Sequence, residues 1–289
     1  MCPACLTATI QTVAIGATSI SGVTSLVARL LAFRLGATCV TQPQIVSKSE
    51  WITARKALLA KEKAATQARD ALSAERRRLP MVAVDKQYTF EGSAGRVTLR
   101  DLFGDHRQLI TYHFMFDPKW EEGCKSCSHF MDNSQGSIVH LAARRTAFVA
   151  VSRAPIAKID AFKRRMGWTF PWVSSFETDF NYDFHVTLDP DHESVEYNFA
   201  KASDLVRSRK LWSDKGELPG LSVFLREGDA VFHTYSTYQR GLDLPLNTYN
   251  FLDFTPLGRQ EEDGRVQAWI RHHDRYAPSS GAETIGGHR

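Results

Sequence analysis

Two cysteines three positions apart, Cys124 and Cys127, sit in the run Gly123-Cys-Lys-Ser-Cys127, directly ahead of an amphipathic stretch. A thiol at the head of a helix faces backbone N–H groups without partners and the positive end of the helix dipole, so its thiolate is favoured. With a second thiol one turn along, the pair can close a short disulfide, Cys124 attacking and Cys127 resolving. Lys125 adds a positive charge between them, whereas Glu121 and Glu122 oppose the thiolate. A metal pair, or a pair that does not turn over, are the other readings of this spacing. Haem attachment is excluded, because it needs His directly after the second cysteine and Ser128 stands there, ahead of His129.

The flanking elements must position these thiols. Leu109 to Phe116 is an almost unbroken apolar run, β-branched and aromatic, which predicts a buried strand. Asp117-Pro118 turns the chain. The apolar face of Phe130, Met131, Ser134, Ile138, Leu141 and Ala142 predicts a helix, and Ala147 to Ser152 a second strand. This order is a βαβ unit with a right-handed crossover. Pro155 to Met166 reads as a helix that opens on Pro155 and stops at Gly167. Arg153, just past the second strand, is placed to lean toward a thiolate or to make a surface ion pair.

The phrases Tyr112-His-Phe-Met-Phe116, Gly123-Cys-x-x-Cys127-Ser128, Val151-Ser-Arg-Ala-Pro155, Arg165-Met-Gly-Trp168 and Asp179-Phe-Asn181 resemble a bacterial thioredoxin-like family. That family is distantly similar to the AhpC/TSA peroxiredoxins and is catalogued as a domain of unknown function. The resemblance covers about residues 47–260. It implies an α/β fold: a thioredoxin-like three-layer sandwich with a central mixed sheet, here preceded by a long N-terminal helix. The peroxidatic signature of the peroxiredoxins wants Pro, three residues, Thr or Ser, two residues, then Cys. Here Asp117 lies seven before Cys124, Pro118 is one place out of step, and Glu121 replaces the hydroxyl.

The remaining chain divides by composition. Residues 6–28 carry no charged side chain, and Arg29 and Arg34 follow; residues 1–46 are an apolar leader or a membrane anchor, in which case the positive-inside tendency leaves the C-terminal domain in the cytoplasm, tethered to the inner face of the membrane. Cys2 and Cys5 form a second CxxC ahead of it, and Cys39 is the odd thiol. A four-cysteine zinc site joining Cys2 and Cys5 to Cys124 and Cys127 has suitable ligands at an unfavourable separation. Residues 47–80 predict an amphipathic helix, with Trp51, Leu58 and Leu59 among its apolar residues, that packs on the main domain. Residues 81–260 are the thioredoxin-like domain, and 261–289, rich in charge, Gly and His, a mobile tail.

Inside the domain, Tyr88–Leu99 predicts a hairpin, and His185–Leu188 with Val195–Phe199 a strand pair. Leu221–Leu225 with Ala230–Tyr235 gives the final hairpin, about Glu227-Gly228-Asp229. Aligning that hairpin with thioredoxins puts Gly220 where they carry a cis-proline, Pro219 falling one residue early. The segment from Trp168 to Phe184, with seven aromatic residues, is either core or the wall of a pocket beside Cys124. His113 reads as a buried, hydrogen-bonded histidine. His129 is placed to assist the thiolate or a metal.

With 43% hydrophobic residues in 289 and a net charge of +4, the chain can bury a large core and lacks the concentrated basic face that nucleic-acid binding requires. Five cysteines in this pattern suit reactive thiols in a reducing compartment. The reading is a thiol–disulfide oxidoreductase without cofactor or resident metal. Cys124 and Cys127 do the chemistry, and Lys125, His129, Arg153 and Trp172 support them. Its partners are a disulfide or peroxide substrate and a thiol reductant. A peroxiredoxin-like peroxidase and a non-catalytic binding module with metal-holding or idle cysteines are the alternatives.

Overall fold

The computed structural model describes residues 43–191, 195–261 and 266–277. Cys2, Cys5, Cys39 and the apolar stretch 6–28 lie outside these residues. Among the described residues no helix is long and apolar enough to cross a membrane.

The chain enters on α1 (Lys48–Arg76). Ser47 and Glu50 close a capping box: the Ser47 hydroxyl accepts from the Glu50 N–H at 3.3 Å, and the Glu50 carboxylate accepts from the Ser47 N–H at 2.9 Å. The helix meets the domain at its C-terminal end, where the Arg76 guanidinium lies 5.0 Å over the Tyr235 ring. None of its residues is buried, and Trp51, Leu58 and Leu72 stay exposed.

Eight strands form the central sheet: β1 (Val82–Ala83), β2 (Thr89–Gly92), β3 (Gly95–Thr98), β4 (Gln108–His113), β5 (Thr146–Ser152), β6 (Trp172–Ser174), β11 (Gly220–Glu227) and β12 (Ala230–Tyr238). Their order is β1-β12-β11-β4-β5-β6-β2-β3. β4, β5 and β6 are parallel, while β11 and β12 are antiparallel to their neighbours. β4, the helix α2 (Lys125–Ser134) and β5 make the predicted βαβ unit. The run β5-β4-β11-β12, parallel then antiparallel, with α2 carrying the thiols at its start, is the core of a thioredoxin-like fold. Around Gly136 the expected continuous helix breaks into a 3-10 turn (Gln135–Ser137) and α3 (Ile138–Ala142). Glycine interrupts a helix at the cost of about 1 kcal/mol relative to Ala. Helix α4 (Ile156–Arg165) begins after Pro155 and ends on Gly167 at φ 62.

Alternation along β4 and β5 sorts side chains between two faces. Tyr112, Phe148 and Ala150 point to a core shared with Phe130 and Met131 of α2 and with Ile159 and Phe162 of α4. Leu109, Val149 and Val151 point to the other, with Phe180, Phe184 and Phe224. His113 falls on that second side as a buried, hydrogen-bonded histidine, its Nε2 2.9 Å from the Ser222 hydroxyl. Burial pushes its pKa down to about 3, so the ring is neutral.

The strand pair expected around Asp189-Pro190-Asp191 does not form. β7 (Thr187–Leu188) pairs instead with β10 (Gly216–Glu217), and β8 (Glu196–Tyr197) with β9 (Ala200–Lys201). The reason is Glu217, a carboxylate with 1% of its side chain exposed. Its oxygens accept from the Thr187 hydroxyl at 3.0 Å, Arg153 Nη1 at 3.1 Å and Asn181 Nδ2 at 3.3 Å. A buried carboxylate demands such partners, and meeting them brings β10 against β7.

The C-terminal stretch also departs from expectation. Residues 266–277, assigned to a mobile tail, return across the start of α2, with Ile270 fully buried and His272 nearly so.

Two measurements check these features. Ile270→Ala should cost about 2–5 kcal/mol in urea denaturation; a cost below about 0.5 kcal/mol, the level of an ordinary surface substitution, would mean the segment does not pack. Burial pushes the Glu217 carboxyl up to about 7, against the pull of Arg153 and Thr187. A carboxyl whose folded pKa is raised binds its proton more tightly folded than unfolded, so its contribution falls as pH climbs from 4.5 to about 7. Glu217→Gln should remove that slope, gaining on wild type by about 1–3 kcal/mol between pH 5 and pH 7.5. Parallel pH–stability curves for the two proteins would contradict the assignment.

Candidate active site

Beyond β4 the backbone runs through Phe114, Met115 and Phe116, turns at Asp117-Pro118, and comes back at Gly123. A Cβ at Gly123 would lie 2.6 Å from the Phe114 ring and 2.8 Å from the Phe162 ring, so only glycine lets the loop press this close to the core. The Cys124 N–H donates to the Met115 carbonyl at 3.0 Å, which pins the first thiol residue beside the strand end.

Cys124 is the N-cap of α2. Its carbonyl accepts from the Ser128 N–H and the Ser128 hydroxyl, both at 2.9 Å. Cys124 is half-buried and Cys127 fully buried, and both are free thiols. The Cys127 thiol, hydrogen-bonded to the Cys124 sulfur, lowers the Cys124 pKa. Burial opposes this, and the Cys127 and Ser126 N–H groups reinforce it, leaving Cys124 at about 7. The partner thiol goes the other way. Burial, and then the neighbouring Cys124 sulfur, push Cys127 well above its ordinary value. Cys127 Sγ accepts from the Met115 N–H at 3.4 Å, and the Tyr112 hydroxyl bonds to the same sulfur.

The acids expected to oppose the thiolate are drawn off. Glu121 is 91% exposed and reaches only toward Lys158, at 3.8 Å. Glu122 pairs with Arg165 at 2.8 Å and with Arg275. The C-terminal segment completes this loop: His272 Nε2–H donates to the Gly123 carbonyl at 2.9 Å, and Lys125 Nζ donates to the Ala268 carbonyl at 3.3 Å.

Of the four supporting residues, only Lys125 borders the cleft where the thiols lie. His129 is on α2 but turns its ring toward Tyr249 and Trp269. Neither of its nitrogens finds a hydrogen-bond partner among the described residues, and burial lowers its pKa. Trp172 is core: its indole N–H donates to the Ser152 hydroxyl at 3.0 Å, which in turn donates to the Phe114 carbonyl at 2.7 Å. Through that chain it steadies the strand end, not the sulfur. Arg153 is committed to Glu217 and lies over the Tyr182 ring at 5.0 Å. Most of the aromatic segment is core, on both sides of the sheet, while Phe176 is exposed. Trp168, Phe170 and Trp172 pack on one face, Phe180 and Phe184 on the other.

The cleft of about 890 Å³ beside the thiols has different walls. The buried Tyr112 and Phe130 lie at its floor with Met115, and Trp212, Leu242, Leu246 and residues 266–268 line the rest. Pro219, not the Gly220 that the hairpin alignment put at this place, borders it, and the peptide before Pro219 is trans. Tyr112 was legible only as a strand residue, and nothing periodic marks residues 210–246 or 266–268 as cleft walls. Among the described residues no group of three or more His, Cys, Asp or Glu side chains is placed to hold a metal.

No curated protein matches the chain. Among solved structures it is similar to a PrxQ mutant of Xylella fastidiosa, with 14% identity over 57% of this chain and 88% of that one and a TM-score of 0.36. It is also similar to the peroxidoxin BcpB of Mycobacterium tuberculosis, with 13% identity over 59% and 95% and a TM-score of 0.38. AhpC of Enterococcus faecalis gives 14% identity over 60% and 92% at a TM-score of 0.36. These likenesses are distant, and the fold follows from the strand order above. One family model matches residues 40–276, and by that match the chain belongs to the family described as bacterial proteins of unknown function, DUF899.

Proposed function

We propose that the chain is a thiol–disulfide oxidoreductase in which Cys124 attacks and Cys127 resolves. The observation that carries this reading is the placement of the two thiols: Cys124, half-buried, is the N-cap of the helix beside the cleft and Cys127, one turn along, is buried, which draws the first thiol down to about 7 and pushes the second up. A nucleophilic thiol works best when its pKa lies near ambient pH, where thiolate is plentiful and still reactive.

In the first step the Cys124 thiolate attacks one sulfur of a substrate disulfide. A protein–substrate S–S bond forms, and the other half leaves as thiolate. Cys127 has kept its proton until then, because its sulfur is buried. It loses that proton as it attacks Cys124, with the Tyr112 hydroxyl and the Met115 N–H donating to the charge developing on its sulfur. The second half leaves as thiol, and a Cys124–Cys127 disulfide remains. Two electrons have passed from the pair to the substrate, and a separate thiol reductant must return them. Peroxide reduction has less support, because the residue three before Cys124 is Glu121, exposed and facing away, where a hydroxyl would orient the peroxide.

The test is trapping. After mixing with hydroxyethyl disulfide, the Cys127→Ser variant should accumulate a mixed disulfide mapped to Cys124 by peptide mass spectrometry. Wild type should instead end with the internal disulfide. Cys124→Ser should form no adduct at Cys127 on the same timescale, and an adduct there at the wild-type rate would sink the assignment of roles.

A further inference from the structure

Resting on that oxidoreductase reading, we infer that the substrate is a small-molecule disulfide combining an apolar ring or chain with an acidic group. Three features of the cleft carry this.

The first is that the start of β11, the strand end that meets the cleft, is not free to take a peptide. β11 begins at Gly220, which is paired on one side with His113 and on the other with Tyr238. Pro219, just before it in the cleft, has no N–H, and its carbonyl already accepts from the Tyr197 hydroxyl at 2.8 Å. Extended peptides are held by main-chain hydrogen bonds to an unpaired edge, and the start of β11 offers none.

The second is shape and polarity. About 890 Å³ suits a small organic molecule. The floor beside Cys124 is Tyr112, Met115 and Phe130, and Trp212, 69% exposed, stands at the mouth with its ring unburied. An exposed indole beside an apolar floor gains by covering another ring.

The third is charge. Among the described residues four charged side chains border the cleft: Lys125, Lys210, Arg240 and Asp243. Asp243 is taken by Arg240 at 2.5 Å and by Arg259 at 3.4 Å. Neither Lys125 nor Lys210 forms an ion pair among the described residues; Lys125 donates to a carbonyl, which leaves its charge uncompensated. Two unpaired ammonium groups over an apolar floor select an anion attached to an apolar body. They also offset the repulsion between an anionic substrate and the Cys124 thiolate.

The experiment uses the reduced full-length chain and three probes: 5,5′-dithiobis(2-nitrobenzoate), a dianionic aromatic disulfide; 2,2′-dithiodipyridine, a neutral aromatic one; and cystamine, a dicationic aliphatic one. Each rate constant at Cys124 is divided by that of 2-mercaptoethanol thiolate with the same probe, which removes the intrinsic reactivity of the leaving group. The normalised rate should be about 10-fold or more higher for the dianionic probe than for cystamine. That margin should shrink in about 0.5 M salt, where charges are screened within a few ångströms. Lys210→Glu should cut the ratio of dianionic to cationic rates about 10-fold, and Trp212→Ala should lower both aromatic rates relative to cystamine. If Cys124 reacts with all three probes at equal normalised rates, or fastest with cystamine, the substrate class is wrong while the thiol chemistry stands. If Cys124 reacts with none of them, the oxidoreductase reading itself falls.

Discussion

Everything in the site depends on the unequal burial of the two thiols at the head of α2, Cys124 partly exposed and Cys127 buried. The two occupy different environments one turn apart. Cys127 is buried at the end of the central strand β4, where ionisation is penalised, so it keeps its proton. Cys124 sits at the N-cap, where the Cys127 thiol and two backbone N–H groups outweigh its own partial burial. The βαβ crossover sets this difference in depth: β4 ends beneath the helix, and the Met115 backbone holds both residues, through its carbonyl to Cys124 N–H and its N–H to Cys127 Sγ.

Around that pair the surroundings remove what would spoil it. Glycine at 123 lets the loop lie against the Phe114 and Phe162 rings. Arg165 and Arg275 hold the Glu122 carboxylate, and His272 fixes the Gly123 carbonyl. Arg275 and His272 belong to the C-terminal segment, which therefore closes the electrostatics of the thiol loop as well as one wall of the cleft. On the other side of the sheet ends, Arg153 and Asn181 meet at Glu217, two residues before Pro219. Two of the phrases by which the sequence resembles its family, Val151 to Pro155 and Asp179 to Asn181, thus share one buried carboxylate.

Local patterns were legible. The apolar runs of β4 and β5, the proline and glycine that bound α4, the final hairpin and the thiols at a helix start all follow from spacing and turn chemistry. Long-range satisfaction was not. Glu217 lies in a charged, Gly- and Pro-containing stretch that reads as loop, and only its partners, up to 64 positions away, explain its burial. The C-terminal segment is rich in charge and poor in apolar periodicity, so its packing through Ile270 and its ion pairs leaves no sequence signature. Most of the aromatic residues from Trp168 to Phe184 form core because they straddle two faces of the sheet, a split that composition does not reveal. In α1 the amphipathic pattern suggested packing, and none of its residues is buried.

The central claim is that Cys124 is an activated thiol, and the pH dependence of its alkylation in the reduced protein, followed site by site with mass spectrometry, tests it most directly. The account predicts an apparent pKa near 7 for Cys124, with Cys127 unreactive across the same range. A Cys124 value at or above about 8.5, that of an ordinary free thiol, would mean that burial has overcome the helix head and the Cys127 proton, and would contradict the account.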